Sequence, residues 1–267
     1  MKKLLRVLLA GILAVATLFC FTACNGAEQK TDLEQIQANG KLVVGITIYK
    51  PMDFIDPETD DWTGFDAELA REFAQEIGVN CQFVIITWSQ KAIELKSKQI
   101  DLIWNGMTAS DDLAADMDFS VSYARNAQVA VVKNDSTIAT KDQIKTASVA
   151  VETGSAGNKM ATAEGMTNIV PVTAQVDALN EVVAGTSQVA LIDLTMAQSV
   201  VGTGSYANLK IVPNVEYGAE VFAVGIRKDS DVKAKLDAFL KAKYADGSLA
   251  ALAQKYNVVL NTEALGA

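Results

Sequence analysis

The order of its apolar and amphipathic segments constrains this chain most, because the same succession of strand-like and helix-like stretches runs through it twice. In the first pass, residues 42–48 read as a strand and 64–77 as a helix. Phe65, Leu69, Phe73 and Ile77 fall on one helix face at four-residue steps, Asp66, Glu68, Arg71 and Glu76 lie elsewhere, and Gly78 stops the helix. A strand at 83–86, a helix at 90–98 and a strand at 101–104 follow. The second pass gives a strand at 147–151, a helix from Ser155, a strand at 168–172, a helix at 176–184 and a strand at 189–192. The halves also end alike: Ala92-Ile93-Glu94 leads to Gln99-Ile100-Asp101-Leu102-Ile103, and Ala178-Leu179-Asn180 leads to Gln188-Val189-Ala190-Leu191-Ile192. The pattern predicts an α/β protein of two related lobes rather than one large sheet.

Residues 128–133 and 220–227 are long apolar stretches without a helix period, and they read as two strands connecting the lobes. The helices at 231–244 and 247–256 then complete the first lobe. The expected division is 41–129 plus 224–267 for lobe 1 and 130–223 for lobe 2, with the two antiparallel crossings acting as a hinge.

The N-terminus carries an address. Lys2, Lys3 and Arg6 precede the apolar run 7–21, and the small residues Thr22 and Ala23 lead into Cys24. The run is shorter than the ~20 residues of a spanning helix, and a polar stretch follows directly. This predicts a cleaved signal peptide at 1–23. The tetrad Phe21-Thr22-Ala23-Cys24 resembles a bacterial lipobox with Phe21 where Leu is usual, so 24–40 reads as a lipidated N-terminus and tether. The alternative is an ordinary signal with a cysteine near the cut. Losing Lys2, Lys3 and Arg6 moves the net charge from −9 to −12, which makes nucleic acid a poor partner. Cys81 is then the one free thiol and no internal disulfide can form. The chain has no histidine, so the usual near-neutral acid/base group and commonest metal ligand are missing, and no metal or cofactor is expected.

Ligands in open α/β sheets sit outside the carboxyl ends of the strands. Those positions hold Tyr49 to Asp53, Trp88, Asn105 to Thr108, Glu152 to Gly157, and Asp193 to Thr195, a wall suited to a small cationic or zwitterionic molecule. Gly154-Ser155-Ala156-Gly157 opens a helix whose free amides attract an anion, or Ser155 simply caps it. Asp193 holds an ammonium group or caps the helix after it. Tyr49 and Trp88 stack on a ligand or fill the wall. Asn105 and Thr108 offer polar groups, or belong to a turn around Gly106.

Lys41-Leu42-Val43-Val44-Gly45, Gly64-Phe65-Asp66-Ala67-Glu68-Leu69-Ala70, Ile100-Asp101-Leu102-Ile103-Trp104-Asn105-Gly106-Met107-Thr108 and Val189-Ala190-Leu191-Ile192-Asp193 jointly resemble one family, with 217–227 adding to the match. It is that of the extracellular solute-binding proteins of ABC importers, family 3, the polar amino-acid group. The resemblance implies a two-lobed, periplasmic-binding-protein-like fold of type II, with a mostly parallel sheet in each lobe. It implies a monomer, held outside the membrane by lipid on Cys24, that closes on an amino acid or related amine and delivers it to a membrane permease. By position, Asp193 matches the aspartate that holds the ligand ammonium, and Ser155 with Gly154, Ala156 and Glu152 lies in the segment that binds its carboxylate. Gly106, Met107 and Thr108 form the matching turn, beside Asn105, and Tyr49 and Trp88 match cleft walls. The family's carboxylate-clasping arginine is replaced by Leu113, which leaves Arg125 as a substitute from another direction or a ligand held differently. The altered run Lys50-Pro51-Met52-Asp53-Phe54 brings Asp53 near the pocket, as an added carboxylate or as a solvated loop acid. Two other classes stay open: an enzyme resembling cyclohexadienyl dehydratases, which without histidine would need Glu or Lys as acid and base, and a sensory protein acting through a partner.

Overall fold

The computed structural model of the chain describes residues 30–267, so the expected signal at 1–23, Cys24 and the start of the tether lie outside the described residues. The strands are β1 (Lys41–Ile46), β2 (Phe54–Ile55), β3 (Trp62–Thr63), β4 (Asn80–Ile85), β5 (Leu102–Ile103), β6 (Met117–Phe119), β7 (Ala124–Lys133), β8 (Ser148–Glu152), β9 (Asn168–Val172), β10 (Val189–Asp193), β11 (Leu209–Phe222) and β12 (Gly225–Arg227). One sheet has the order β4-β1-β5-β12-β6, with β1 parallel to β4 and β5, and β12 antiparallel to β5 and β6. The other has the order β11-β7-β10-β8-β9, with β8 parallel to β9 and β10, and β7 antiparallel to β10 and β11. The repeat read in the sequence is therefore physical. In each lobe the first strand of the trio lies in the middle, at β1 and at β8, and helices carry the chain between parallel neighbours.

The helix Phe65–Glu76 illustrates how the pattern becomes packing. Phe65, Leu69 and Phe73 are fully buried, each worth ~1.5–3 kcal/mol of apolar transfer. Phe73 meets Phe239 of the C-terminal helix Val232–Ala245 at 5.4 Å between ring centroids, which places that helix on the first lobe. Asp66, expected off the buried face, is also fully buried. It has polar partners there, described below.

The chain crosses between sheets twice, after β6 and after β11. The first crossing comes earlier than the expected boundary at 129, because Gln128 and Val129 already pair with Asp193 and Ile192 of the second sheet. The crossings are tied together: Ser120 N donates to Val224 O at 3.0 Å, Val224 N to Ser120 Oγ at 3.0 Å, and Tyr123 N to Phe222 O at 2.9 Å.

The expected tether is also shorter than 24–40. Asp32–Asn39 is a helix that buries Ile36 and fixes its first residue through Arg227, whose Nε donates to Asp32 Oδ2 at 2.8 Å. The same guanidinium reaches Asp101 Oδ1 at 3.1 Å and Ile100 O at 2.7 Å.

Candidate functional site

The carboxyl ends of the parallel strands of both sheets face one cleft. From the first lobe it is lined by Thr47, Tyr49, Trp88, Lys91, Asn105, Gly106, Met107, Thr108, Ser110 and Leu113. From the second come Glu152, Gly154, Ser155, Ala156, Lys159, Gln175 and Asp193. Of the residues expected from the sequence, the structure brings all together here except Asp53 and Arg125.

Asp193, the last residue of β10, is 5% exposed. Asn126 Nδ2 and Gln128 Nε2, alternate residues of β7, donate to its Oδ1 at 2.8 and 2.5 Å, and Gln175 Nε2 donates to Oδ2 at 2.6 Å. It caps no helix with its side chain, so the capping alternative is not what the structure adopts. Burial pushes its ionisation upward, against the three amides that favour the charged form. Opposite it, the buried Tyr49 hydroxyl is directed at the Asp193 carboxylate, with no hydrogen bond of good geometry among the described residues. Burial and the Asp193 charge hold that phenol well above its ordinary range, so it stays a donor.

Glu152, at the end of the neighbouring strand β8, is 3% exposed and receives no side-chain hydrogen bond among the described residues. Burial and the nearby Asp193 charge push it up to about 8, with Lys91 opposing the rise. Glu220 of β11 accepts from Thr108 Oγ1, Asn126 Nδ2 and Gln128 Nε2, each at 3.0 Å. The amides of β7 thus bridge two carboxylates, and Thr108 is engaged across the cleft.

Ser155 does cap the helix Ala156–Ala163, accepting from Asn158 N at 3.1 Å. The first N–H groups of that helix still have no intrahelical acceptor and point out of its N-terminus. The lobes touch nearby: Lys91 Nζ donates to Gly154 O at 3.1 Å, and Lys159 Nζ lies 2.6 Å from Asp112 Oδ2. Gly154 has φ +75°, and a Cβ there would stand 3.1 Å from Ser89 Cα on the other lobe. These contacts describe a closed cleft.

Asp53 is not at the surface of the cleft but beneath it. It is fully buried and accepts from Asn105 Nδ2 at 2.6 Å, while Thr47 N and Oγ1 donate to Asn105 Oδ1 at 3.0 and 2.6 Å. Asp66 accepts from Gly106 N at 2.6 Å and Tyr123 Oη at 2.9 Å, and burial raises it to about 7. Burial and the Asp66 charge raise Asp53 as well. The two acids orient the turn that lines the pocket. Gly106 is needed in that turn, since at its φ of +54° a Cβ would come within 2.6 Å of the Tyr49 ring.

Arg125 lies outside the cleft. Side chains alternate along a strand, so with Asn126 and Gln128 turned toward Asp193 the intervening positions face away. Its guanidinium instead pairs with Glu263 at 3.0 Å, largely exposed. Residues that sequence reasoning missed include Gln175, Asn126, Gln128, Glu220, Lys91 and Lys159. The alternation of Asn126 and Gln128 along β7 was the available signal for those two. Lys91 stands three residues after Trp88 at the start of the helix Lys91–Lys96, where a lysine ordinarily reads as solvated.

The sequence model of bacterial extracellular solute-binding proteins, family 3, matches residues 42–259. The chain belongs to that family. This solute-binding protein is 27% identical over 265 residues to an arginine-binding extracellular protein of Bacillus subtilis, covering 96% of this chain and 98% of the relative. Among solved structures, a variant of ArgBP from T. maritima superposes with a TM-score of 0.79 at 27% identity, covering 84% of this chain and 98% of that one. An ancestral amino acid-binding protein, described as a precursor of cyclohexadienyl dehydratase, gives a TM-score of 0.77 at 27% identity over 84% and 98% of the two chains. The two-lobed α/β fold and the solute-binding class of the protein follow from these matches.

Proposed function

We propose that this solute-binding protein captures an amino acid or related amine between its lobes and delivers it to an ABC permease, binding its ligand rather than transforming it. One observation carries the reading: Asp193, buried at the end of β10, keeps its carboxylate fixed by three side-chain amides and faces the buried hydroxyl of Tyr49. Such a carboxylate is stabilised in a closed cleft by a ligand ammonium, and closing without a cation costs several kcal/mol. A ligand that interacts preferentially with the closed form draws the equilibrium toward it. Glu152 provides a second acidic group, raised to about 8 by burial, which a second positive centre on the ligand would hold ionised. The arginine-binding relatives make basic amino acids the first ligands to test.

A thermal-shift screen of amino acids, their decarboxylated amines and polyamines tests this. Stabilisation by one or more amino acids is expected, because a ligand of the folded state raises its melting temperature. No shift with any of them, or turnover of prephenate or arogenate, would contradict it. The same proposal has the chain processed before Cys24 and anchored through lipid there, acting as a monomer. Intact mass of membrane-extracted protein checks this, with a diacylglyceryl adduct on a chain beginning at Cys24 as the expected result.

A further inference from the structure

We propose that Lys91 receives the ligand's carboxylate, the task for which this chain has Leu113 where an arginine would serve. The inference rests on the amino-acid reading above and adds the group that recognises the acid end. Lys91 lines the cleft and is 5% exposed, yet it forms no ion pair among the described residues. Two of its three N–H donors go to carbonyls, Trp88 O at 3.2 Å and Gly154 O at 3.1 Å. The third has no acceptor in the described chain, and the ammonium stands 4.5 Å from the centroid of the Trp88 ring.

A buried ammonium without a carboxylate is costly, and two neutral carbonyls with one aromatic face compensate only part of its lost hydration. An anion arriving in the cleft supplies the remainder. The Gly154 contact sets Nζ beside the loop that leads into the free N–H groups of the helix Ala156–Ala163. Ammonium and helix start therefore converge on one place for an anionic group. The other cations near the cleft are otherwise engaged. Lys159 pairs with Asp112 at 2.6 Å, and Arg125 with Glu263. Leu113 is apolar and lines the same pocket.

The charged groups facing Lys91 are Glu152 from the end of β8 and Lys159 from the helix Ala156–Ala163. Burial lowers Lys91 to about 8, Glu152 opposes the fall and Lys159 adds to it. Glu152 lies near without forming an ion pair with it, so the ammonium is left for a ligand group of the opposite sign.

The experiment is isothermal titration of wild type, Lys91→Met and Lys91→Arg with matched probes: L-arginine with agmatine, and L-lysine with cadaverine. Each pair differs in the carboxylate alone. The expected result is a loss of about 10- to 100-fold for the amino acid in Lys91→Met, the scale of a charge-assisted hydrogen bond. Binding of the decarboxylated partner should change little, and Lys91→Arg should restore most of the loss. Wild-type affinity for the amino acid should also fall as pH rises past about 8, where Lys91 loses its proton, and Lys91→Arg should lack that component. Equal losses for both members of a pair would make Lys91 a plain bridge between lobes and overturn the proposal, as would unchanged affinity for both. Binding of the amines with no amino acid bound would overturn it too. Failure of wild type to bind any probe or any other amino acid would sink the amino-acid reading itself, a different result from a variant that treats the two probes alike. Thermal melting of each variant confirms that it is folded.

Discussion

Asp193 and Glu152 end neighbouring strands of one sheet, and burial raises both, yet only Asp193 has amides opposing the rise. Three amides hold Asp193 in place, while Glu152 has none and is pushed up to about 8 from an ordinary 4.5. A carboxyl raised in the folded state binds its proton more tightly there than when unfolded. Its contribution to stability is complete below pH 4.5 and is lost as pH rises to about 8. Glu152→Gln should therefore match wild type below pH 4.5 and be more stable above pH 8, by about 1–3 kcal/mol, under the ~5 kcal/mol ceiling set at ~1.4 kcal/mol per pH unit. Urea denaturation of the ligand-free protein across that range checks this, and parallel stability curves would contradict it. Residues at strand ends were legible because the α/β architecture itself says where a ligand sits, which is how Tyr49, Trp88, Ser155 and Asp193 could be read. Arg125 misled because being near the cleft in sequence does not fix which strand face a side chain occupies. Asp53 misled because Asn105 covers it.

The elements themselves were largely readable from hydrophobic period, as with β9 at Asn168–Val172 and the helix Phe65–Glu76. What the period could not reveal was tertiary fastening. The helix Asp32–Asn39 sits in a polar stretch, and Arg227, Lys98 and Asp231, all distant in sequence, tie it down. Arg227 is 11% exposed and serves Asp32, Asp101 and Ile100 O at once. Burial works to raise Asp32, but the hydrogen bond and charge of Arg227 outweigh it and hold the carboxyl below its ordinary range. Arg227→Ala should cost about 2–4 kcal/mol, somewhat under the usual figure for breaking a buried pair because the site is not fully closed. Chemical denaturation measures the cost. Amide exchange should also speed up across 32–39, and unchanged protection there would show that Ile36 and the remaining polar ties, Lys98 to Asp32 and Gln35 and Leu33 N to Asp231, anchor the helix without Arg227. The crossing after β6 shows the same limit: an apolar run marks a strand, but pairing with β10 decides which sheet owns it.

Across the whole molecule, the lobes touch over the cleft through Lys91 with Gly154 and Lys159 with Asp112 and Ser110, while Thr108 meets Glu220 beside the crossings. Gly154 brings backbone of one lobe against backbone of the other. A methyl group there meets Ser89 Cα at 3.1 Å and must also adopt a φ of +75°. Gly154→Ala should leave each lobe folded, hold the cleft further open and weaken ligand binding at least about tenfold, since ~1.4 kcal/mol of closure free energy corresponds to that factor. Small-angle scattering with and without ligand follows the opening, and wild-type contraction with wild-type affinity would show that the approach is not limiting. Whether the closed cleft recognises an ammonium group at Asp193 is decided by isothermal titration of wild type and Asp193→Asn with L-arginine, L-lysine and L-histidine. Saturable binding of at least one of these by wild type is expected, with a loss of ~3–5 kcal/mol in the folded variant, the scale for stranding a buried charge. Equal affinity in the two proteins would contradict it.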